Sequence, residues 1–211
     1  LEANADDLVV DGGGVSVRGV PQAAIPLADV SGAAHFDPGV RQVIGDPALH
    51  ATAFHGSPPT FSNGCIAMIV EVDPETGLVR IERVVAVEDC GTMLNPTIVE
   101  GQVRGGLVQG VGAALLERFV YDEDGQPLST TFMEYLVPRT TDVPSISVEH
   151  LVTPSVHTAH GGKGMAEGGS IAAPAAAINA VMDALAPFGA RVDELPLTPQ
   201  AVWDAIERAS A

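Results

Sequence analysis

The chain has 211 residues, 46% of them hydrophobic and 18% charged. That is enough apolar material for a buried core and too much for a disordered segment. Ten Lys and Arg face 27 Asp and Glu, a formal net charge of -17; nucleic acid and anionic membrane surfaces both need a basic footprint, so neither is expected as a partner. Cys65 and Cys90 are the only cysteines. Without CxxC spacing they offer no zinc site and no disulfide framework, and they suit a reduced, cytoplasmic protein.

The chain begins on leucine, as a fragment or a processed product would, and no secretory signal pattern follows. No apolar run approaches the roughly 20 residues that span a bilayer. Residues 1–64 read as largely irregular. LVV and VSVRG flank DGGG, which predicts a short hairpin with a glycine turn. PLADVSGAAH predicts one short helix, and GSPPTFSNG a loop.

CIAMIVEVDPETGLVRIERVVAVEDCG predicts an antiparallel hairpin with one buried face, its β-branched runs joined by the turn DPETG. The period then changes. Ile98, Val99, Val103, Leu107, Val111 and Leu115 recur at helical spacing after Pro96 and Thr97, a suitable helix start. Gly101, Gly105, Gly106, Gly110 and Gly112 each cost this helix ~1 kcal/mol relative to alanine. So many glycines imply that another backbone or a large ligand lies against it. LSTTFMEYLVP and SISVEHLVTP read as strands. SIAAPAAAINAVMDALA reads as a helix with Ser170 as N-cap, and TPQAVWDAIERAS as an amphipathic helix capped by Thr198. Strands and helices interspersed with antiparallel hairpins define an α+β class.

Two junctions carry chemistry. HGGKGMAEGGS places Glu167 in a run of glycines just before a helix start, where free N–H groups and a partial positive charge collect. The acid there either serves the helix end or faces a ligand, and five surrounding glycines favour the ligand. EDCGTMLNP, at a strand-to-helix junction, gathers Asp89, Cys90 and Asn95; a plain turn is the competing reading, with Cys90 a small buried hydrophobe. Gln102 and Gln109 lie seven residues apart near one helix face. The six histidines form no local metal-ligand spacing, and neither GxxxxGK[ST] nor GxSxG occurs.

VAVEDCGTMLNPTIVEGQVRGGLVQGVGAALLE, DEDGQPLSTTFMEYLVPRTTDVPSISVEHLVTPS and GGKGMAEGGSIAAPAAAINAVMDAL, in this order and spacing, resemble the C-terminal part of the molybdopterin-binding large subunit of the xanthine oxidase family. The resemblance implies one lobe of a molybdenum cofactor-binding domain over 1–211, with 1–60 a weakly matched lead-in and 61–211 the core bearing the cofactor-site loops. It implies that KGMAE is the family's KGxGE loop, with Glu167 as catalytic base in a small-residue, buried setting. Gln102 matches the glutamine beside the molybdenum. Lys163, Gly164, Met165 and Ala166, with Asp89, Cys90 and Asn95, would line the pterin dinucleotide; no residue here is implied as a metal ligand. Ala166 departs from the family's glycine at that position, and alanine is strained there if φ is positive. The implied cofactor is molybdopterin cytosine dinucleotide. The implied partners are the remaining half of the molybdenum subunit, and iron–sulfur clusters and FAD on other chains or domains; the substrate is a small molecule such as an aldehyde or N-heterocycle. The rival reading is a structural or assembly domain without turnover.

Overall fold

The computed structural model describes residues 1–45, 52–56 and 58–211, so His50 and Ser57 of the GSPPTFSNG loop lie outside the described residues. The chain divides into two compact units, Leu1–Gly56 and Ser57–Ala211.

In the first unit β1 (Leu8–Asp11), β2 (Gly14–Val17) and β3 (Val20–Pro26) form an antiparallel meander. Asp11 pairs with Gly14 across a turn in which Gly12 and Gly13 have φ of 55° and 80°. Two successive positive φ values are the requirement of a tight hairpin turn, so the DGGG expectation is met. Helix α1 (Leu27–Phe36) covers the predicted PLADVSGAAH. The sequence reading misses β3, whose VPQAAIP run barely alternates, and α2 (Pro38–Ile44), which is only seven residues long. Local chemistry starts α2: Asp37 Oδ1 accepts from the N–H of Gly39 at 2.8 Å, with Pro38 in the first turn.

The second unit is built on β4 (Asn63–Val72), β5 (Val79–Asp89) and β6 (Ser145–His150), in that order. β4 and β5 form the predicted antiparallel hairpin, with a bulge between Ile69 and Val70. Its turn is fastened by Asp73, whose Oδ1 accepts from Glu75 N at 2.9 Å and whose Oδ2 accepts from the Thr76 hydroxyl at 2.8 Å. β6 pairs with β5 in parallel, from Arg83↔Ser145 to Glu88↔His150. A hairpin cannot make such a pair; the chain between them carries α3 (Pro96–Leu115).

Helix α4 (Gly168–Leu185) packs along α3 and β4, and α5 (Pro199–Ser210) closes the far end. Val84, Ala86, Val103, Leu107 and Ala173 are fully buried under one part of the helix pair; Ala177, Val181, Leu185 and Val202 are fully buried under the other. Two of the five α3 glycines, Gly106 and Gly110, are explained by α4, whereas Gly112 faces Glu117 and Pro138, and Gly101 and Gly105 have nothing within 4 Å of a would-be Cβ. A Cβ on Gly106 would lie 2.8 Å from Ser170 N, one on Gly110 would lie 2.5 Å from Ala173 Cβ, and one on Gly169 would collide with the Val103 carbonyl. The neighbour of Gly106 is the α4 backbone at Gly169 and Ser170, and that of Gly110 is the α4 pair Ala173 and Pro174.

Three expectations are corrected. Residues 128–138 form no strand: the N–H groups of Glu134 and Tyr135 both turn back to Thr131 O, at 3.1 and 2.9 Å, and the Thr131 hydroxyl bonds the Glu134 carboxylate. Local side-chain and turn bonds win over β propensity. Ser170 is not an N-cap; the cap of α4 lies three residues earlier, at Glu167, and the Ser170 hydroxyl donates to Glu167 O at 2.9 Å. The run Gly168–Phe188 is long and apolar enough by composition to cross a bilayer, contrary to the sequence reading. In this fold its Gly169, Ala173, Ala177, Val181 and Leu185 face the core. Thr198 does cap α5, accepting from Ala201 N at 3.2 Å.

Candidate cofactor site

The site forms where β5 runs out. Asp89, its last residue, is 6% exposed. Its Oδ1 accepts from Gly91 N at 2.8 Å and Thr153 N at 3.1 Å, and stands 3.3 Å from Lys163 Nζ. The bond from Thr153, then the one from Gly91, hold this carboxyl far below its ordinary range. One acid therefore ties together three segments distant in sequence.

Backbone bonds complete the junction. Lys163 N donates to Cys90 O at 2.8 Å, Thr92 N to Gly161 O at 3.1 Å and Ser155 N to the same oxygen at 2.8 Å. Gly91 and Gly161 have φ of 67° and 71°, and a Cβ on Gly91 would strike the Gly161 carbonyl. Glycine at 91 is required both by conformation and by the closeness of the facing loop.

The two loops frame a cavity of about 460 Å³, within the size range of cofactor sites. Cys90, Met93, Val99 and Met165 supply an apolar lining; Asn95, Thr158, His160 and Lys163 supply polar groups. Burial pushes the Cys90 thiol up, which keeps it a neutral wall. Asn95 also caps α3, its Oδ1 accepting from Ile98 N at 3.2 Å. An apolar slot edged by amide, hydroxyl, imidazole and ammonium groups fits one end of a flat heteroaromatic group carrying polar substituents.

Thus Cys90, Asn95, Lys163, Gly164 and Met165 line one cavity, and Asp89 stands behind it through Lys163. Gln102, Ala166 and Glu167 lie outside that lining. Gln102 Nε2 donates to Ala166 O at 3.1 Å, so this glutamine braces the loop one residue before Glu167. Ala166 does not have positive φ, so the strain considered for an alanine there does not arise. Glu167 is exposed rather than buried, with φ -112° and ψ 3° at the start of α4. Its backbone carbonyl begins the helix; its side chain makes no cap. Among the described residues no three His, Cys, Asp or Glu side chains gather as a metal cluster.

Sequence reasoning missed Thr92, Thr153, Thr158 and His160, which only the pairing of distant loops brings together. It also missed Glu88, one residue before Asp89 and 2% exposed. Burial raises its carboxyl above the usual range, against the opposing charge of His150. The β-strand pattern could have found it, since Val84, Ala86 and Glu88 alternate onto one face.

Comparison with known proteins places the chain as a whole. The family model of the molybdopterin cofactor-binding domain matches residues 1–144. The chain is 48% identical over 203 residues to the nicotine 6-hydroxylase large subunit of Paenarthrobacter nicotinovorans, covering 96% of this chain and 25% of that protein. It is 32% identical over 208 residues to the carbon monoxide dehydrogenase large chain of Hydrogenophaga pseudoflava, covering 98% of this chain and 26% of that one. Quinoline 2-oxidoreductase from Pseudomonas putida 86 superposes with a TM-score of 0.86 at 46% identity, over 98% of this chain and 26% of its own. The α+β arrangement is that of molybdenum cofactor-binding domains. The chain belongs to the molybdopterin cofactor-binding domain family and spans about a quarter of the length of the relatives it matches.

Proposed function

We propose that the chain is the C-terminal portion of the molybdenum-binding subunit of a hydroxylase, with residues 61–211 carrying the cofactor-site loops behind a lead-in over 1–60. The enzyme oxidises an aldehyde, an N-heterocycle or a similar small molecule with oxygen from water. The names of the nicotine and quinoline enzymes favour the N-heterocycle. The carrying observation is the Lys163–Glu167 loop, pinned at one end through Lys163 to Asp89 and Cys90 and at the other through Ala166 to Gln102.

Loaded with molybdopterin cytosine dinucleotide, the site gains two-electron redox and oxygen-transfer chemistry that side chains lack. Lys163, Gly164, Met165, Cys90 and Asn95 would hold the dinucleotide against the cavity, with Asp89 fixing Lys163. Gln102 and Ala166 set the path of the loop into α4, and through it the aim of Glu167. Glu167 carries a carboxylate on a short stem at the helix start, suited to accept one proton in each turnover as general base. The relatives' names, as a large subunit, a complex subunit and a large chain, support a multi-subunit assembly. Here it comprises the rest of the molybdenum subunit with iron–sulfur and flavin groups, in the cytoplasm.

The test is elemental and nucleotide analysis of the complex that copurifies with this chain. Molybdenum with a matching amount of CMP released by mild acid is expected. No molybdenum, from cells that make the cofactor, overturns the proposal; molybdenum with a different nucleotide overturns the cytosine form alone.

A further inference from the structure

Among the described residues two buried side-chain atoms lack a hydrogen-bond partner, Glu88 Oε1 and His150 Nδ1. They belong to residues paired directly across β5 and β6. Paired residues of neighbouring strands point to the same face about 5 Å apart, so two unsatisfied polar groups share one buried patch. A buried polar atom left unpaired is costly, and two such atoms on register partners, with His150 acting electrostatically on Glu88, are a site for a bridging polar molecule.

The surroundings give the pair a direction. The Glu88 carboxyl lies over Gly64, in space that any Cβ there would fill. On another side a Cβ on Gly168 would come within 3.5 Å of Glu88 Oε2, so the acid reaches the residue that follows Glu167. His150 turns its other nitrogen, Nε2, to Glu100 Oε2 at 3.2 Å. Glu100 Oε1 accepts from Arg104 Nε and Nη2 at 2.8 and 2.6 Å, and the Glu100 side chain is 38% exposed. The charged and titratable groups facing the pair are therefore Glu100 and Arg104 from α3, with Cys90 beyond Glu88 on its own strand.

We propose that Glu88 and His150 are joined by one internal water and form, with Glu100, a proton relay from beneath the Glu167 loop to solvent. This rests on the reading of the chain as part of a hydroxylase. Hydroxylation with water as oxygen source balances as RH + H2O → ROH + 2 H⁺ + 2 e⁻, so protons must leave the site as electrons leave by the partner groups. In the relay the Glu88 O–H bond breaks as a water O–H bond forms. One of the water's original protons passes to His150 Nδ1, and His150 gives its Nε2 proton to Glu100, which loses it to solvent; His150 then returns to its Nε2-protonated tautomer by releasing the Nδ1 proton and taking one up at Nε2, with no net change in proton count. Glu88 is then reprotonated from the site side. No redox change occurs in any of these steps.

The test uses the complete molybdenum enzyme and the variants Glu88→Gln, His150→Gln and Glu167→Gln. One readout is infrared absorption of protonated carboxylic acid at neutral pH. The other is stopped-flow comparison of proton release, by a pH indicator, with electron delivery. Expected are a protonated-acid band lost in Glu88→Gln, and proton release falling behind electron delivery by on the order of 10²-fold in both relay variants. An unaltered band in Glu88→Gln, or proton release that keeps pace with electron delivery in both variants, overturns the relay. If the variants do not fold, a wild-type enzyme carrying isotope-labelled glutamate decides: the absence of any protonated glutamate overturns it. Glu167→Gln separates the two readings, because unchanged substrate reduction there removes the base assignment, whereas its loss alongside normal proton release in the other two removes only the relay.

Discussion

The α3–α4 seam and the loop pair around Asp89 hold their parts together by opposite means. The seam is steric: Gly106, Gly110 and Gly169 let two helix backbones approach until a methyl group would collide. The loop pair is polar: Asp89 Oδ1 gathers two backbone N–H groups and an ammonium, and Cys90 O accepts from Lys163 N. Steric seams are indifferent to pH and intolerant of volume. Polar junctions tolerate volume at their rims and depend on ionisation. The two meet near Glu167, the N-cap of α4, because the loop pair fixes Lys163 four residues before it.

Volume in the seam should have the largest effect. Gly169→Val places branched carbon where the Val103 carbonyl already is, and overpacking of this kind costs about 1–3 kcal/mol or more. Urea titration of the complex should show a lowered midpoint. The same change at Gly105, which has nothing within 4 Å of its would-be Cβ, should cost nothing and gain a few tenths of a kcal/mol at most, because valine is the better helix former; equal losses at the two positions would break the seam account.

The polar junction should answer to pH, with opposite signs at neighbouring residues. Asp89 has a depressed carboxyl, so its stabilisation is present above the ordinary value of 3.8 and is lost as pH falls through the lower native value. Glu88 has a raised carboxyl, so its stabilisation is complete below its ordinary value of 4.5 and is lost as pH rises through the higher native value. Melting temperature against pH should therefore lose its acid limb in part in Asp89→Asn and flatten on the other side in Glu88→Gln. Swapped signs would contradict the burial and bonding assigned to each. The smallest effect belongs to neither region: Thr198→Ala removes the α5 cap and should cost about 1 kcal/mol with the site intact.

The difference between the regions also explains what could be read from sequence. The seam was legible because glycines at helical spacing have few explanations, and α3 ends within the residues its periodicity marks. The β4–β5 hairpin was legible for the same reason, its pattern being local. β6 was found but not its parallel pairing, which α3 imposes. The 128–138 run looked like a strand because β propensity ignores the turn bonds of Thr131 and Glu134. At the site, Glu167, Lys163 and Asp89 stood out as charged residues in unusual company. Thr153, His150 and Glu88 did not, since their roles exist only once distant loops and neighbouring strands meet.

The central claim is that the loop braced by Gln102 and Lys163 aims Glu167 as the general base. The most direct measurement is the rate at which substrate reduces the complete enzyme carrying Glu167→Gln, with molybdenum content checked in the same preparation. The account predicts full molybdenum and a rate lower by on the order of 10²–10⁴-fold. Wild-type reduction with molybdenum retained would contradict it and leave Glu167 as the N-cap of α4 alone.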